Sequence, residues 1–508
     1  MKLNRLLLLG LFPLIIFSCT DKDNDGSNPG DKQEEAYFNL KLAFPASSDA
    51  RAGEPTTSDE DGDGYQTGLS VEQNFQNVAV VVVSDATNVV TDYVTYTADE
   101  FAPDGNSSVD DDNIGTTPTY RMYASKQAKL VTKGDASVYV FLNPTADVAS
   151  TYAVGNTVDG SPVEMPRLTS SDLTVSLAKD DNFLMGNADT PQVYTIDGTS
   201  SNPTIVTVNV ERAVAKLVER TTKATFTVEN SQNLNSITAT FENYDYNFLN
   251  KRSYLLKSVQ TRNDANAVAG SYVVDPNFIS SEYLAYAPAA PYYGNDFFIL
   301  GNQEISKPFT TASEITYSLE NTMISNEQYI DKTTSVVYKA SLELDGGTAA
   351  TFYTYKNRIF TSYSDLRTVY NEDYPASTDA LGEVFTEEDV EDAYTSTGNY
   401  SNLVQELNIK LLDKGIRCYY NGECYYNWPI KHWDQEDVFL GRMEFGVVRN
   451  NVYYLEVTRI LSIGEPWVPG GPEDPDPEDP DPDEDEDAYL MVEITVLPWV
   501  VRYNNIQF

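Results

Sequence analysis

Every second residue is apolar in the run Phe38-Asn39-Leu40-Lys41-Leu42-Ala43-Phe44, so an extended strand here turns one side to a core and the other to solvent. The same alternation returns in Leu490-Met491-Val492-Glu493-Ile494-Thr495-Val496, followed by Leu497-Pro498-Trp499-Val500-Val501. Between these two segments, short runs rich in Val, Thr and aromatic residues recur with turn residues between them. They fall at 78–83, 89–97, 128–132, 137–142, 173–177 and 205–217, and then at 224–228, 236–241, 335–344, 349–354, 438–448 and 452–460. Runs of this length and spacing predict antiparallel sandwiches. The fold class expected is all-β: two tandem antiparallel β-sandwich domains, 52–220 and 221–465. Helices should be few and short, with 386–394 and 400–412 the best candidates.

The segments outside the sandwiches have their own logic. Residues 1–18 read as a signal peptide, with Lys2 and Arg5 ahead of an apolar run over 6–17 that is too short to span a bilayer. Ile16-Phe17-Ser18-Cys19 has the form of a lipoprotein cleavage box, with Cys19 as the lipidation site, and the acidic stretch that follows reads as a solvated tether. Residues 19–51 thus form a lipidated tether plus the strand marked by Phe38, Leu40, Leu42 and Phe44. Arg51 stands alone as a basic residue in the small, polar stretch 45–64, an exposed site for cutting between Arg51 and Ala52. Residues 466–487 are almost wholly Pro, Gly, Asp and Glu, and are expected to stay extended and unpacked, reaching on the order of 60–70 Å. Beyond this leash, 488–508 carry Leu490, Val492, Ile494 and Val496, a strand with no need to pack on its own domain.

Composition narrows the function. Lys+Arg 34 against Asp+Glu 77 gives a formal charge of −43, which excludes nucleic acid as a partner because phosphate binding needs concentrated cations. Apart from Cys19 the only cysteines are Cys418 and Cys424. A two-residue Asn421-Gly422 turn would put them on opposite faces, whereas a three-residue loop over 420–422 would set them face to face. The reading favoured is a disulfide, since an exported protein meets an oxidising compartment and two thiols alone cannot complete a metal site.

These features in this order resemble the fimbrilins of type V pili of Bacteroidales-type bacteria, most closely the minor-fimbria shaft subunits. The resemblance rests on the box at Cys19, Ala50-Arg51-Ala52-Gly53-Glu54, Val210-Glu211-Arg212-Ala213-Val214-Ala215-Lys216, the 418–426 segment with Pro429-Ile430-Lys431-His432, and Val496-Leu497-Pro498-Trp499. It implies transthyretin-like sandwiches and an outer-membrane lipoprotein precursor carrying palmitate. It also implies a trypsin-like, Arg-specific extracellular protease acting at Arg51, and polymerisation by donor-strand exchange into a surface fimbrium (pilus) that supports cell adhesion and biofilm formation. The implied partners are copies of the chain itself and other fimbrial subunits. Ligands on host or bacterial surfaces are an open class, and no cofactor is implied.

Other chemistry is thinly represented. Asp59-Glu60-Asp61-Gly62-Asp63-Gly64 has the spaced acids of a calcium loop but Ser70 at its twelfth position, so a solvated linker is the better reading and no metal site is expected. The single histidine, His432, sits beside Trp433 and suits packing rather than catalysis. With no Gly-x-Ser-x-Gly and no phosphate-binding loop, the chain is expected not to be an enzyme. The competing function is a tip adhesin or a surface glycan-binding lipoprotein, with clusters such as Tyr292-Tyr293 and Tyr419-Tyr420 stacking on sugars.

Overall fold

A computed structural model of the chain describes residues 34–44, 66–67, 72, 74–108, 119–171, 178–179, 182–262, 270–277, 296–322, 328, 330, 332–348, 350–374, 381, 385–432, 444–475 and 490–500. The chain divides into 1–34 and 35–508, and all the elements below belong to the second unit.

The first sheet is made by β1 (Glu35–Phe44), β2 (Asn77–Ser84), β3 (Val90–Thr97), β4 (Phe101–Ser108), β5 (Thr119–Ser125), β6 (Lys129–Thr132), β7 (Gly134–Leu142), β8 (Met185–Asn187), β9 (Val193–Ile196) and β10 (Thr204–Arg212). Its order is β3-β2-β7-β8-β10-β1-β5-β4, with β9 added to β7 and β6 to β1. Strands β1 and β2 stand four places apart, roughly 19 Å on a flat sheet. Yet Phe38, Leu40 and Leu42 share one core with Val78, Val80 and Val82, so the sheet curls over into two layers. The opposite face of β2, with Ala79, Val81 and Val83, enters a second core with Val214, Val218, Leu319 and Val452. Burial on both faces explains why 78–83 reads as an unbroken apolar run rather than an alternation.

Strand β10 ends at Arg212, the chain bends through Ala213 and Val214, and it resumes in another sheet as β11 (Ala215–Glu219). There follow β12 (Thr225–Thr227), β13 (Ile237–Asn247), β14 (Glu314–Ser318), β15 (Ser335–Leu344), β16 (Phe352–Tyr355), β17 (Arg358–Phe360), β18 (Ile416–Tyr419), β19 (Glu423–Pro429), β20 (Asn451–Ile460) and β21 (Leu490–Val500). One sheet runs Gln66–Thr67, β21, β20, β11, β14, and another runs β12-β13-β15-β19. Their shared core includes Leu217, Phe241, Tyr338, Tyr426, Tyr453 and Leu455. A small sheet, β17-β16-β18, is covered by helices that follow β17.

Among the described residues the longer helices are α1 (Ala146–Thr151), α2 (Tyr363–Asp373), α3 (Glu387–Thr395) and α4 (Tyr400–Leu412). The last two fall where expected, and α3 opens on a capping box between Thr386 and Asp389. Helix α2 was not foreseen, although Ser362 caps it by accepting from Asp365 N–H at 3.2 Å.

The fold is mostly β, with two departures from the expected layout. The sheets are not wholly antiparallel: β1 pairs with β10, and β11 with β20, in parallel. Both pairs join strands far apart in sequence, which leaves room for the long crossover that parallel neighbours require. Nor is the acidic stretch unpacked from Pro466 onward. Trp467 and Val468 are buried, and Glu473 is fully buried while accepting from Asn302 N–H at 3.0 Å and Ser401 Oγ at 2.7 Å. Two apolar anchors and a carboxylate with donors aimed at it suffice to hold 466–475 against the fold. The expected strand at 173–177 lies outside the described residues.

Candidate functional site

Strand β1 is flanked on both sides. Phe38 to Ala43 run parallel to Thr204 to Asn209 of β10, while Lys41 to Phe44 pair antiparallel with β5 and Glu35 to Phe38 with β6. Further bonds fix it: Tyr37 N–H donates to Gly198 O at 2.9 Å and Leu40 N–H to Ser125 Oγ at 3.0 Å. Its inward side chains Phe38, Leu40, Leu42 and Phe44 are buried, and Phe44 reaches an aromatic cluster of Phe75, Tyr123 and Phe101. On the outer face Lys41 Nζ lies 2.6 Å from Asp104.

Burying those four side chains is worth on the order of 6–12 kcal/mol. That equals the whole net stability of an ordinary domain, about 5–15 kcal/mol. Removing β1 would also unpair the facing edges of β10, β5 and β6, a row of donors and acceptors with no partners. The arrangement is a groove that must be filled, and in this chain β1 fills it.

Strand β21 sits differently. It pairs with β20 from Leu490 opposite Ile460 to Pro498 opposite Asn451, one place in from the end of its sheet. On its outer side Gln66 and Thr67 run parallel to Trp499 and Val500. The strand is therefore docked on its own chain, where a detached segment was expected. Val492 packs on the adjoining core, and its neighbour Met491 is 41% exposed. The side chains of Leu490, Ile494 and Val496 lie outside the described residues, as do Cys19, Arg51, Ala52 and the acidic run 59–64.

The expected disulfide is absent, because Cys418 and Cys424 are buried, free thiols. Asn421 (φ 52°) and Gly422 (φ 73°) both take the left-handed conformation that favours these residue types. The strands on either side then join different sheets: Cys418 lies opposite Tyr353 of β16, and Cys424 opposite Ala340 of β15. One thiol enters the core under the helices and the other the main sandwich core. Burial pushes Cys418 well above the ordinary thiol range and Cys424 up to about 12, so both stay protonated. His432 is also buried; its Nδ1 meets Tyr453 Oη at 2.7 Å, and Tyr453 Oη accepts from Val448 N–H at 2.8 Å.

Sequence reasoning missed a seam of buried charge where β10 becomes β11. Lys216 Nζ lies 3.0 Å from Glu72 Oε1, Tyr317 Oη donates to the same carboxylate at 2.5 Å, and Arg212 Nε donates to Glu72 O at 3.0 Å. Beside them Lys257 pairs with Glu211 at 3.1 Å, and Arg449 with Glu320. Burial pushes the Glu211 carboxyl up, with Lys257 opposing, and the Arg212 guanidinium down to about 10. The signal was legible: three charges, Glu211, Arg212 and Lys216, inside an otherwise apolar strand run demand buried partners. Glu72 ties the chain downstream of Arg51 to this seam. Among the described residues no cluster of His, Cys, Asp and Glu could hold a metal, and no helix is long and apolar enough to cross a membrane.

Comparison with known proteins bears on the C-terminal part. Residues 417–505, spanning β18 to β21, match the family described as major fimbrial subunit protein type IV, fimbrillin, C-terminal. A search of curated proteins finds no match. Among solved structures, the chain is similar to a putative cell adhesion protein from Parabacteroides distasonis (12% identity, 92% of this chain and 98% of that one, TM-score 0.42). It is also similar to the tip fimbrial protein Mfa3 from Porphyromonas gingivalis with C-terminal truncation (11% identity, 92% and 100%, TM-score 0.39). The fimbrial anchor protein Mfa2 from the same organism is more remote (8% identity, 61% and 78%, TM-score 0.21). Likenesses at these scores fix neither the fold nor a role. Through residues 417–505 the chain matches a fimbrilin-type protein.

Proposed function

We propose that the chain is a lipoprotein precursor of a surface fimbrium whose shaft it builds by donor-strand exchange. Cleavage after Arg51 by a trypsin-like, Arg-specific protease frees β1 from the rest of the chain, and the C-terminal strand of a second copy takes its place. The observation that carries this reading is the position of β1: a strand interior to its sheet, with four buried anchors, followed in the sequence by Arg51, the lone basic residue of the small, polar stretch 45–64. A neighbour's strand of the same alternation would restore both ladders and refill the core, and a head-to-tail contact that does not close gives a filament. Lipidation at Cys19 holds the precursor at the outer membrane until the cut, and adhesion and biofilm formation follow from display of the filament.

One observation favours the competing reading of a tip adhesin or glycan-binding lipoprotein, in which no strand is donated: β21 is docked on β20 of its own chain. Treating purified wild-type and Arg51→Ala precursors with trypsin, then scoring filaments by negative-stain microscopy and SDS-resistant ladders, decides between them. Wild type is expected to polymerise and Arg51→Ala to remain monomeric. Ladders from Arg51→Ala, or cut wild type that never polymerises, would overturn the proposal.

A further inference from the structure

The segment ahead of the C-terminal strand repeats the opening of β1. Glu35-Ala36-Tyr37-Phe38 and Asp487-Ala488-Tyr489-Leu490 share the order acid, alanine, tyrosine, large apolar, and the alternation then continues in step. Resting on the strand-exchange reading above, we propose that this repeat sets the register of the incoming strand of a second copy. Ala488 takes the site of Ala36, Leu490 that of Phe38, Val492 that of Leu40, Ile494 that of Leu42 and Val496 that of Phe44. The strand runs in the direction of β1, parallel to β10.

The groove distinguishes this register from its neighbours. Ala36 is buried beside Val131, so its site is sized for a methyl group. Shifting the strand by two residues would force Leu490 into that site, an overpacking that weakens binding about ten- to a hundredfold. The same shift would put Pro498 in the place of Phe44. Backbone groups alternate along a strand, so the N–H of Phe44 points the way Leu40 N–H does, toward β5, where Phe44 faces Arg121. Proline has no N–H, and a lost ladder bond costs roughly a further tenfold. A shift the other way leaves Phe38's site holding only the methyl of Ala488. One feature opposes the proposed register, since Glu493 would replace Lys41 and face Asp104. At a position this open to solvent, unlike and like pairs differ by only about a fewfold. Steric fit and the ladder bond outweigh it.

The entrance of the groove reads the backbone of the repeat. Tyr37 N–H donates to Gly198 O, and a Cβ on Gly198 would sit 2.6 Å from Tyr37 O. A tyrosine in that place also covers Leu130, which faces Tyr37 across β6 and is 43% exposed.

That cross-strand pair supplies the test. Two full-length variants, Tyr489→Cys with Leu130→Cys and Met491→Cys with Leu130→Cys, are cut, assembled, mildly oxidised, boiled in SDS without reductant and examined for covalent ladders. Facing positions in antiparallel strands lie close enough for a disulfide. The first pair is expected to form a ladder and the second is not. A ladder from the second pair, or filaments in which neither pair links, would overturn the register while leaving strand exchange in place; failure of either variant and of wild type to form filaments would overturn both. Ala488→Leu gives an independent reading. It should lower filament yield about tenfold or more with the monomer's thermal unfolding unchanged, while Ala488→Gly assembles normally. Normal yield from Ala488→Leu would place that residue outside the groove and overturn the register.

Discussion

Strands β1 and β21 share one alternation of apolar and polar residues and occupy unlike places. β1 is interior to its sheet, paired along both edges, with its anchors at or near zero exposure. β21 lies beside β20 near the rim, and among the described residues its other edge meets the two-residue strand Gln66–Thr67. The pattern therefore specifies a side to bury, and the place in the sheet decides how much is lost when the strand leaves. Two strands of equal grip could not serve an exchange. A subunit that gives up one strand and lends another needs a host site that tolerates no vacancy and a donor held loosely at home.

The largest effect that follows is at the centre of β1. Leu40→Asp removes a fully buried leucine and puts an unpaired carboxylate in an apolar core, costing about 4–6 kcal/mol. The precursor should be largely unfolded or lost to proteolysis. Deleting 490–508 should instead leave a folded, soluble monomer with a midpoint within a few degrees of wild type, since the strand lost lies near the rim of its sheet, with one long neighbour. Circular dichroism melts of the two variants compare them directly. If the deletion proves as damaging as Leu40→Asp, β21 is an integral part of its sheet and the contrast fails.

Acid should loosen the home of β21 more than that of β1. Burial pushes His432 down to about 4 from its ordinary 6.5, and the imidazole lies beside Tyr453 of β20, the strand on which β21 rests. The folded state prefers the neutral ring. Stability from this source is complete above about pH 6.5 and is lost as the pH falls toward about 4, by roughly 3 kcal/mol. Phe38, Leu40 and Leu42 of β1 pack with Val78, Val80 and Val82, none of which titrates. His432→Gln should flatten the difference between denaturant midpoints at pH 7 and pH 4.5. Hydrogen exchange in wild type at pH 4.5 should speed up in β20 before β1. An unchanged pH slope in His432→Gln would remove the histidine from the account.

What the sequence revealed depended on how local the cause was. The burial of Phe38, Leu40 and Leu42 follows from alternation, and the buried run of β2 and the caps of α3 are equally local signals. The fate of Cys418 and Cys424 was not local. Their separation is set by partners at Tyr353 and Ala340, more than sixty residues away in each case, and no spacing rule between the cysteines reports on those pairings. The packing of 466–475 was hidden by its composition, since Trp467 and Val468 stand among prolines and acids whose bulk signal is extension. Glu473 looks like one more repelling charge until Ser401 and Asn302 are brought to it by the fold. The groove was legible from one of its sides: β1 announced that it would be buried, but not that β10 would run parallel to it or that Gly198 would grip Tyr37.

The smallest effect tests whether a strand keeps its parity in both places. In the monomer Val492 packs on the core between the second pair of sheets, while Met491 faces solvent beside Thr458 and Arg459. A strand that moves as a unit keeps its alternation, because neighbouring side chains cannot change sides without a slip in register. Val492→Ser should therefore cost about 1–2 kcal/mol in the partly buried home site and more in the groove, where the position of Leu40 is fully enclosed. Met491→Ser should stay within about 0.5 kcal/mol in both, since the groove position it takes, that of Asn39, is on the outer face. Thermal melts of the monomers and filament yield after cutting measure the two sites separately. A Met491→Ser protein that melts normally but fails to assemble would mean that the strand enters the groove with the opposite face inward, and the parity shared by β1 and β21 would then have no bearing on exchange.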